Sequence, residues 1–379
     1  MRRKDGRPKR KALRRMPQYA HGFRDNPATA PYRHPSFNKG GNVPSEWPTV
    51  LSFFTGCGGM DLGFLGGFKY LGELYPALPF RLVHAYEIDE KAVQTYRLNL
   101  GREISVSDLA TADLESFPKV DILSGGFPCQ DFSSCGHKLG LKGHRGELYL
   151  IMRDYMRIHQ PKVVVGENVP HLERMQGGKV LRQIQGDLED AGYRFKLWRM
   201  CCPDYGLPQS RTRLFFVGVR HDLKGFPEMP APTHFLGRVT IDDAIADLEH
   251  VGDESVTNQS QYFVATKATA GAGQGDQKSR AGELAFAVRA NSKARVHFHY
   301  SLDRRLTVRE SARLQAFPDE FVFPHATQIN ILQIGNAVPP IVGHHVANAI
   351  SEYFRTVLNL EMPLLSFKDN PATASLAGD

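Results

Sequence analysis

Thr49-Val50-Leu51-Ser52-Phe53-Phe54-Thr55-Gly56-Cys57-Gly58-Gly59-Met60-Asp61-Leu62-Gly63 is a short apolar run, a glycine-rich turn and the start of a helical pattern. Strand, glycine turn and helix in that order form the nucleotide-binding arrangement, in which glycines let the backbone approach a ligand closely. The spacing is not the full G-x-G-x-x-G of dinucleotide enzymes, so the turn acquires meaning only from the residues C-terminal to it.

Further strand-then-helix units come after it. Arg81–Tyr86 reads as a second strand ending in Glu87-Ile88-Asp89, ahead of the helical positions Ala92, Val93 and Tyr96. An acid at the end of a second strand is placed to accept hydrogen bonds from ribose hydroxyls. A third short strand, Ile104–Val106, leads to Asp108. A fourth, Val120-Asp121-Ile122-Leu123, runs into Gly125-Gly126-Phe127-Pro128-Cys129-Gln130-Asp131-Phe132-Ser133 and puts one thiol on a turn at a strand's end. There a thiolate can act as a nucleophile, whereas a cysteine taken alone is more often a small buried apolar residue. A fifth strand from Lys162 to Val165 ends at Gly166-Glu167-Asn168-Val169-Pro170, and Arg211 and Arg213 stand two apart on a later strand. Alternating strands and helices predict an α/β fold with a mostly parallel sheet. In such sheets ligands gather beyond the strand carboxyl ends, which brings Glu87, Cys129 and Glu167 to one rim.

Between Cys129 and the helical stripe of Leu148, Ile151, Met152 and Tyr155 lies a stretch of glycine and polar residues, read as a mobile binding loop. From about 221 to 303 the apolar period weakens, which predicts a second, smaller, irregular domain. Its end is basic, with Arg289, Lys293, Arg295, Arg304, Arg305, Arg309 and Arg313 interleaved with His297, Phe298, His299 and Tyr300, a composition suited to nucleic acid. The expected organisation is a basic, disordered extension over 1–46 and a catalytic and cofactor-binding domain over 47–220. Beyond these are expected a target-recognition domain over 221–325, a return segment over 326–360 completing the catalytic domain, and a flexible tail over 361–379.

The chain has 379 residues and a net charge of +7. Nine basic side chains against Asp5 alone lie within residues 1–15 and account for that excess. Such an arm can neutralise phosphates without reading sequence. Five cysteines without paired C-x-x-C units predict no structural metal and a reducing compartment. No apolar run reaches membrane-spanning length, and the basic start lacks the apolar segment of a secretory signal; a cytoplasmic, nucleoid-associated protein is expected.

Taken together, these motifs resemble the DNA (cytosine-5) methyltransferase family over most of 50–355. Phe54-Thr55-Gly56-Cys57-Gly58-Gly59, Pro128-Cys129-Gln130, Glu167-Asn168-Val169, Gln209-Ser210-Arg211-Thr212-Arg213, Arg305 to Gln315 and Gly335-Asn336-Ala337-Val338 occur in the family order. The resemblance implies an S-adenosylmethionine-dependent, Rossmann-like methyltransferase. It would transfer a methyl group to C5 of a cytosine flipped out of double-stranded DNA, as a bacterial type II modification enzyme does. Cys129 would add to cytosine C6 and protonated Glu167 would bond N3. Arg213 would hold O2, while Arg211 would sit by the thiolate or a phosphate. Phe54, Gly56, Gly58, Gly59, Glu87, Ile88, Asp108, Pro128, Leu148, Asn336 and Val338 would form the cofactor site. Ser133, Arg145, Gln209, Arg289, Asn291, Lys293 and Arg295 are the candidates for DNA contact. A monomer with double-stranded DNA as partner is expected, and a cognate restriction endonuclease would be a genetic rather than a physical partner. Two other readings stay open: a tRNA cytosine-5 methyltransferase, and an inactive DNA-binding regulator.

Overall fold

The computed structural model describes residues 46–101, 103–127, 148–250, 277–290 and 297–360. Seven strands form the main sheet: β1 (Thr49–Phe53), β2 (Arg81–Glu87), β3 (Ile104–Val106), β4 (Ile122–Gly125), β5 (Val163–Asn168), β6 (Tyr193–Cys201) and β7 (Thr212–Arg220). Their order is β3-β2-β1-β4-β5-β7-β6. The first five pair in parallel, and β7 runs antiparallel to both of its neighbours. The expected α/β class and mostly parallel sheet are found.

Strand order reverses at β1, because the chain leaves it outward to β2 and β3, then returns to β4 on its other side. Such a switch point opens a crevice at the strand carboxyl ends. Alternation along the strands assigns the two faces. Val50, Ile122, Val163, Val165 and Val217 join one apolar cluster with helices α1 (Gly59–Leu65), α2 (Glu90–Leu100) and a long C-terminal helix, Pro340–Thr356. Leu51, Phe53, Leu123, Val164 and Phe216 join the other with α3 (Leu148–His159) and α4 (Lys179–Glu189). A sheet covered on both faces is why its strands read as apolar runs.

Segment 221–325 carries two short helices, α5 (Ile241–Ile245) and α6 (Val308–Leu314), each opened by a capping box from Thr240 and Thr307. Ile241, Ile245, Ala285, Val288 and Val308 all belong to the first of the two clusters. These five residues are thus buried against the sheet's own core by turns and short elements, which leave no long period in the sequence. Helix α7 (Thr327–Asn336) was not read from the sequence. Its buried positions include Asn330 and Gln333 while Leu332 is exposed, so it shows no apolar stripe. The helix Pro340–Thr356, α8, closes the described fold.

Candidate active site

The glycine turn connects β1 to α1. Gly58, with φ of 92°, is the α1 N-cap. A Cβ there would collide with Leu100 and Tyr96, and one on Gly59 would collide with the carbonyl oxygen of Val338. Glycine at both positions therefore lets α2 and the 335–338 segment close around the turn. Glu87 ties the turn down from the end of β2. Its Oε2 accepts from the Gly56 N–H at 2.8 Å, and its Oε1 accepts from Ile88 and Asp89 N–H, each at 2.9 Å. Beneath the turn, fully buried Asp61 accepts from the Thr55 hydroxyl at 2.6 Å, and burial raises its pKa.

A cleft of about 1100 Å³ opens over this turn and the carboxyl ends of β1, β2, β4 and β5. That is the upper end of the size of small-molecule sites, with room for more than one ligand group. Gly56, Glu87, Ile88 and Asp108 line one end, and Leu148, Asn336 and Val338 line its walls. Ile88 is an apolar side chain 62% exposed between two acids, an unfavourable position for a residue with nothing to cover. Phe54, also on the wall, holds φ of 54°, a backbone conformation costly for a bulky side chain and concentrated at functional sites.

The other end of the cleft holds Glu167, Asn168 and Arg213. Glu167 lies within β5, which extends past the apolar run that marked the strand in the sequence. Because β7 is antiparallel, its first residues reach the same rim, and Phe215 pairs with Glu167. Arg213 Nε then meets Glu167 Oε1 at 2.7 Å, both side chains only 13% exposed. Burial raises the Glu167 pKa, and the nearby charges of Arg213 and Arg211 lower it; burial prevails. Asn168, absent from the sequence-derived site, donates from Nδ2 to the Phe127 carbonyl at 3.1 Å and accepts from the Val169 N–H at 2.8 Å. It thereby fixes the chain immediately before Pro128 and Cys129. Asparagine beside the acid was the available signal, since a buried amide must find partners.

Pro128, Cys129, Ser133, Arg145, Asn291, Lys293 and Arg295 lie outside the described residues. The described thiols are Cys57, Cys201 and Cys202. Burial pushes Cys57 and Cys202 up to about 12 and raises Cys201, so none is held as a thiolate.

Three expectations about basic and polar residues are corrected. Gln209, expected at DNA, is fully buried: its Nε2 donates to Gln315 Oε1 at 2.7 Å and to the Leu314 carbonyl, and its Oε1 accepts from Val288 N–H at 2.9 Å. Arg211 is not presented to a phosphate. Its guanidinium donates to the carbonyls of Val288 at 3.0 Å, Gly335 at 2.9 Å and Ala337 at 3.1 Å, and burial lowers its pKa. Three of the five described arginines of the basic run before and through α6 are turned to partners within the fold. Arg309 is buried on the carbonyls of Pro318 and Phe321, Arg313 pairs with Asp247 and Asp319, and Arg304 pairs with Glu310. Of that run Arg289 and Arg305 are the exposed arginines among the described residues. Counting charges overstated the surface because a buried guanidinium satisfies carbonyls as readily as phosphates.

Arg211→Leu is expected to lower unfolding free energy by roughly 3–5 kcal/mol, because the Val288 and Gly335 carbonyls lose the Arg211 donor and the Ala337 carbonyl keeps only Gln315. Urea unfolding measures the loss, and a change under about 0.5 kcal/mol contradicts the role given to Arg211.

Comparison with known proteins agrees with this geometry. A family model described as C-5 cytosine-specific DNA methylase matches residues 49–286 and 241–352. Type II methyltransferase M.BspRI of Lysinibacillus sphaericus is 31% identical over 355 residues, spanning 80% of this chain and 81% of that protein. Type II methyltransferase M.BsuRI of Bacillus subtilis is 31% identical over 354 residues, spanning 80% and 79%. Among solved structures, the methyltransferase EhMeth of Entamoeba histolytica superposes with a TM-score of 0.60 at 16% identity, over 82% of this chain and 98% of that one. The Dnmt2 methyltransferase of S. pombe superposes with a TM-score of 0.55 at 17% identity, over 81% and 98%. Matched by that family model over most of its length and by relatives 31% identical, and carrying a switch-point cleft with the Glu167–Arg213 pair on its wall, the chain belongs to the C-5 cytosine-specific DNA methylase family.

Proposed function

We propose that this protein transfers a methyl group from S-adenosylmethionine to C5 of a cytosine flipped out of a specific double-stranded DNA sequence. The observation that carries the reading is the buried Glu167–Arg213 pair on the cleft wall, with Asn168 anchoring the chain two residues before Cys129.

The residues at the far end of the cleft suit the cofactor. Glu87 accepts from the Gly56 N–H of the turn and from the Ile88 and Asp89 N–H groups beside it, and a carboxylate has further lone pairs for ribose hydroxyls. Exposed Ile88 offers an apolar face to a purine, Asp108 stands beside it, and Phe54, Leu148, Asn336 and Val338 enclose the remainder. Gly56, Gly58 and Gly59 shape the turn, and Pro128 adjoins the nucleophile. Bound there, S-adenosylmethionine supplies an electrophilic methyl group.

Cytosine C5 is a weak nucleophile. Cys129, as a thiolate, adds to C6 and leaves an enamine across C4 and C5. Glu167, protonated, donates to N3 and disperses the charge that addition places in the ring, while Arg213 holds O2. C5 then takes the methyl group, with S-adenosylhomocysteine as the leaving group. Once the C5 proton passes to a base such as water, the Cys129 sulfur departs as thiolate, the N3 proton returns to Glu167 and the aromatic ring is restored. None of these atoms can be reached inside a duplex, so the base must leave the stack.

Residues 47–220 with 326–360 form the catalytic domain in this reading, and 221–325 carries target recognition, with Arg289 and the 291–295 stretch toward the bases and Ser133 and Arg145 toward the backbone. The protein acts as a cytoplasmic, nucleoid-associated monomer, with a restriction endonuclease as genetic partner.

Bisulfite sequencing of DNA from cells expressing the protein is the test. One sequence context should carry cytosines protected from conversion; DNA indistinguishable from that of control cells rejects the activity. Removing residues 1–15 is expected to weaken non-specific duplex binding and flatten its salt dependence, because fewer counterions are released. An unchanged slope of log K against log salt rejects the arm.

A further inference from the structure

We infer that Gln209, Arg211 and Gln315 are positioning residues that lock the cofactor-lining segment 335–338 to the segment 285–290, so that cofactor and DNA recognition are energetically coupled. The inference rests on the proposed roles of Asn336 and Val338 at the cofactor and of Arg289 at DNA.

One guanidinium reaches both segments: Arg211 Nη1 bonds the Val288 carbonyl at 3.0 Å, and Nη2 bonds Gly335 and Ala337 carbonyls at 2.9 and 3.1 Å. Gln209 holds the first segment from the other side. Its Oε1 accepts from Val288 N–H at 2.9 Å, while Ala285 and Phe286 pair in parallel with Gln209 and Ser210. Gln315 completes the circuit, donating to the Ala337 carbonyl at 2.6 Å and accepting from Gln209 Nε2 at 2.7 Å. All three side chains are buried, at 0%, 4% and 0% exposure for Gln209, Arg211 and Gln315.

The two segments also touch directly. A Cβ on Gly335 would collide with the backbone of Arg289 and Ala290, so glycine there seats one segment on the other. Asn336, the next residue, lines the cleft, and Arg289 is exposed. Displacing Asn336 or Val338 must therefore strain bonds whose other ends fix Val288. Buried polar networks resist such partial rearrangement, because each broken bond leaves an unsatisfied group in a low-dielectric interior. A ligand that orders one segment removes part of the ordering cost of the other, which is positive coupling and by linkage reciprocal.

The test uses the full chain, S-adenosylhomocysteine and a duplex carrying the methylated site. S-adenosylhomocysteine should tighten duplex binding by about 5-fold or more, within the usual range of coupling between sites. With no DNA present it should slow amide exchange in 285–290. Gln315→Met, which keeps the side chain's bulk and removes its hydrogen bonds, should bring the tightening factor close to one. Asn330→Ala removes another buried amide, bonded to Phe323 and His325 carbonyls outside this circuit, and should keep the factor of the unaltered protein. A merely structural role predicts weaker binding in both variants with the factor unmoved, and that result overturns the inference. Should Gln315→Met not melt cooperatively, exchange in the unaltered protein decides: no slowing at 285–290 overturns the coupling. An unaltered protein that binds neither ligand rejects the proposed function itself, a distinct outcome.

Discussion

Cys129→Ala is expected to abolish methyl transfer while duplex binding survives. Addition at C6 is what makes C5 reactive, and alanine offers no atom to form that bond. None of the described thiols can replace it. Cys57 and Cys202 are buried, Cys201 is half-exposed, and the pKa of each is raised away from the thiolate form. Transfer of radiolabelled methyl to duplex DNA, measured beside a mobility shift, separates the two properties. Full activity in the variant places the nucleophile elsewhere; loss of both properties shows that the substitution disturbed the binding surface.

The second large effect is at Glu167. Glu167→Gln preserves shape and a hydrogen-bonding group near Arg213 but removes the transferable proton, and kcat is expected to fall by about 10²- to 10⁴-fold. The pH profile distinguishes this role from a structural one. Burial raises the Glu167 pKa, so the protonated form persists to higher pH than for an exposed glutamate, and kcat should fall as pH rises through that raised value. In Glu167→Gln that alkaline fall should vanish. A variant with the wild-type alkaline limb assigns the titration to another group.

Much of the fold was legible because sheet strands covered on both faces must be apolar. β1, β4 and β5 appear as runs such as Val163-Val164-Val165, bounded by glycine and acids that mark the carboxyl rim. The same rim made Glu87 and Glu167 recognisable, since an acid at the end of an apolar strand is neither core nor ordinary loop. Side-chain direction at the start of β7 was not legible. Arg211 and Arg213 look equivalent in the sequence, yet Arg211 lies between two strand segments and turns to carbonyls, while Arg213 turns to Glu167. Arg309 and Arg313 misled for the same reason: charge is written in the sequence, whereas its burial depends on partners such as Pro318 and Asp319 that only the folded path brings round. Helix α7 escaped because its buried face carries Asn330 and Gln333, amides whose partners, the Phe323 carbonyl for Asn330 and the Thr95 hydroxyl for the Gln333 oxygen, only the fold supplies.

The antiparallel strand β7 has a consequence for how faithfully the chemistry is spaced. Acid and cation sit on neighbouring strands, Glu167 paired with Phe215, and Arg213 two residues before Phe215 on β7, where it pairs with Met200 on the far side. Their separation is thus gauged by strand registry, which can change only in whole-residue steps, and a single step would turn Arg213 to the opposite face of the sheet. Thermal motion of the surrounding loops therefore leaves the backbone spacing of the pair unchanged for as long as the ladder is intact.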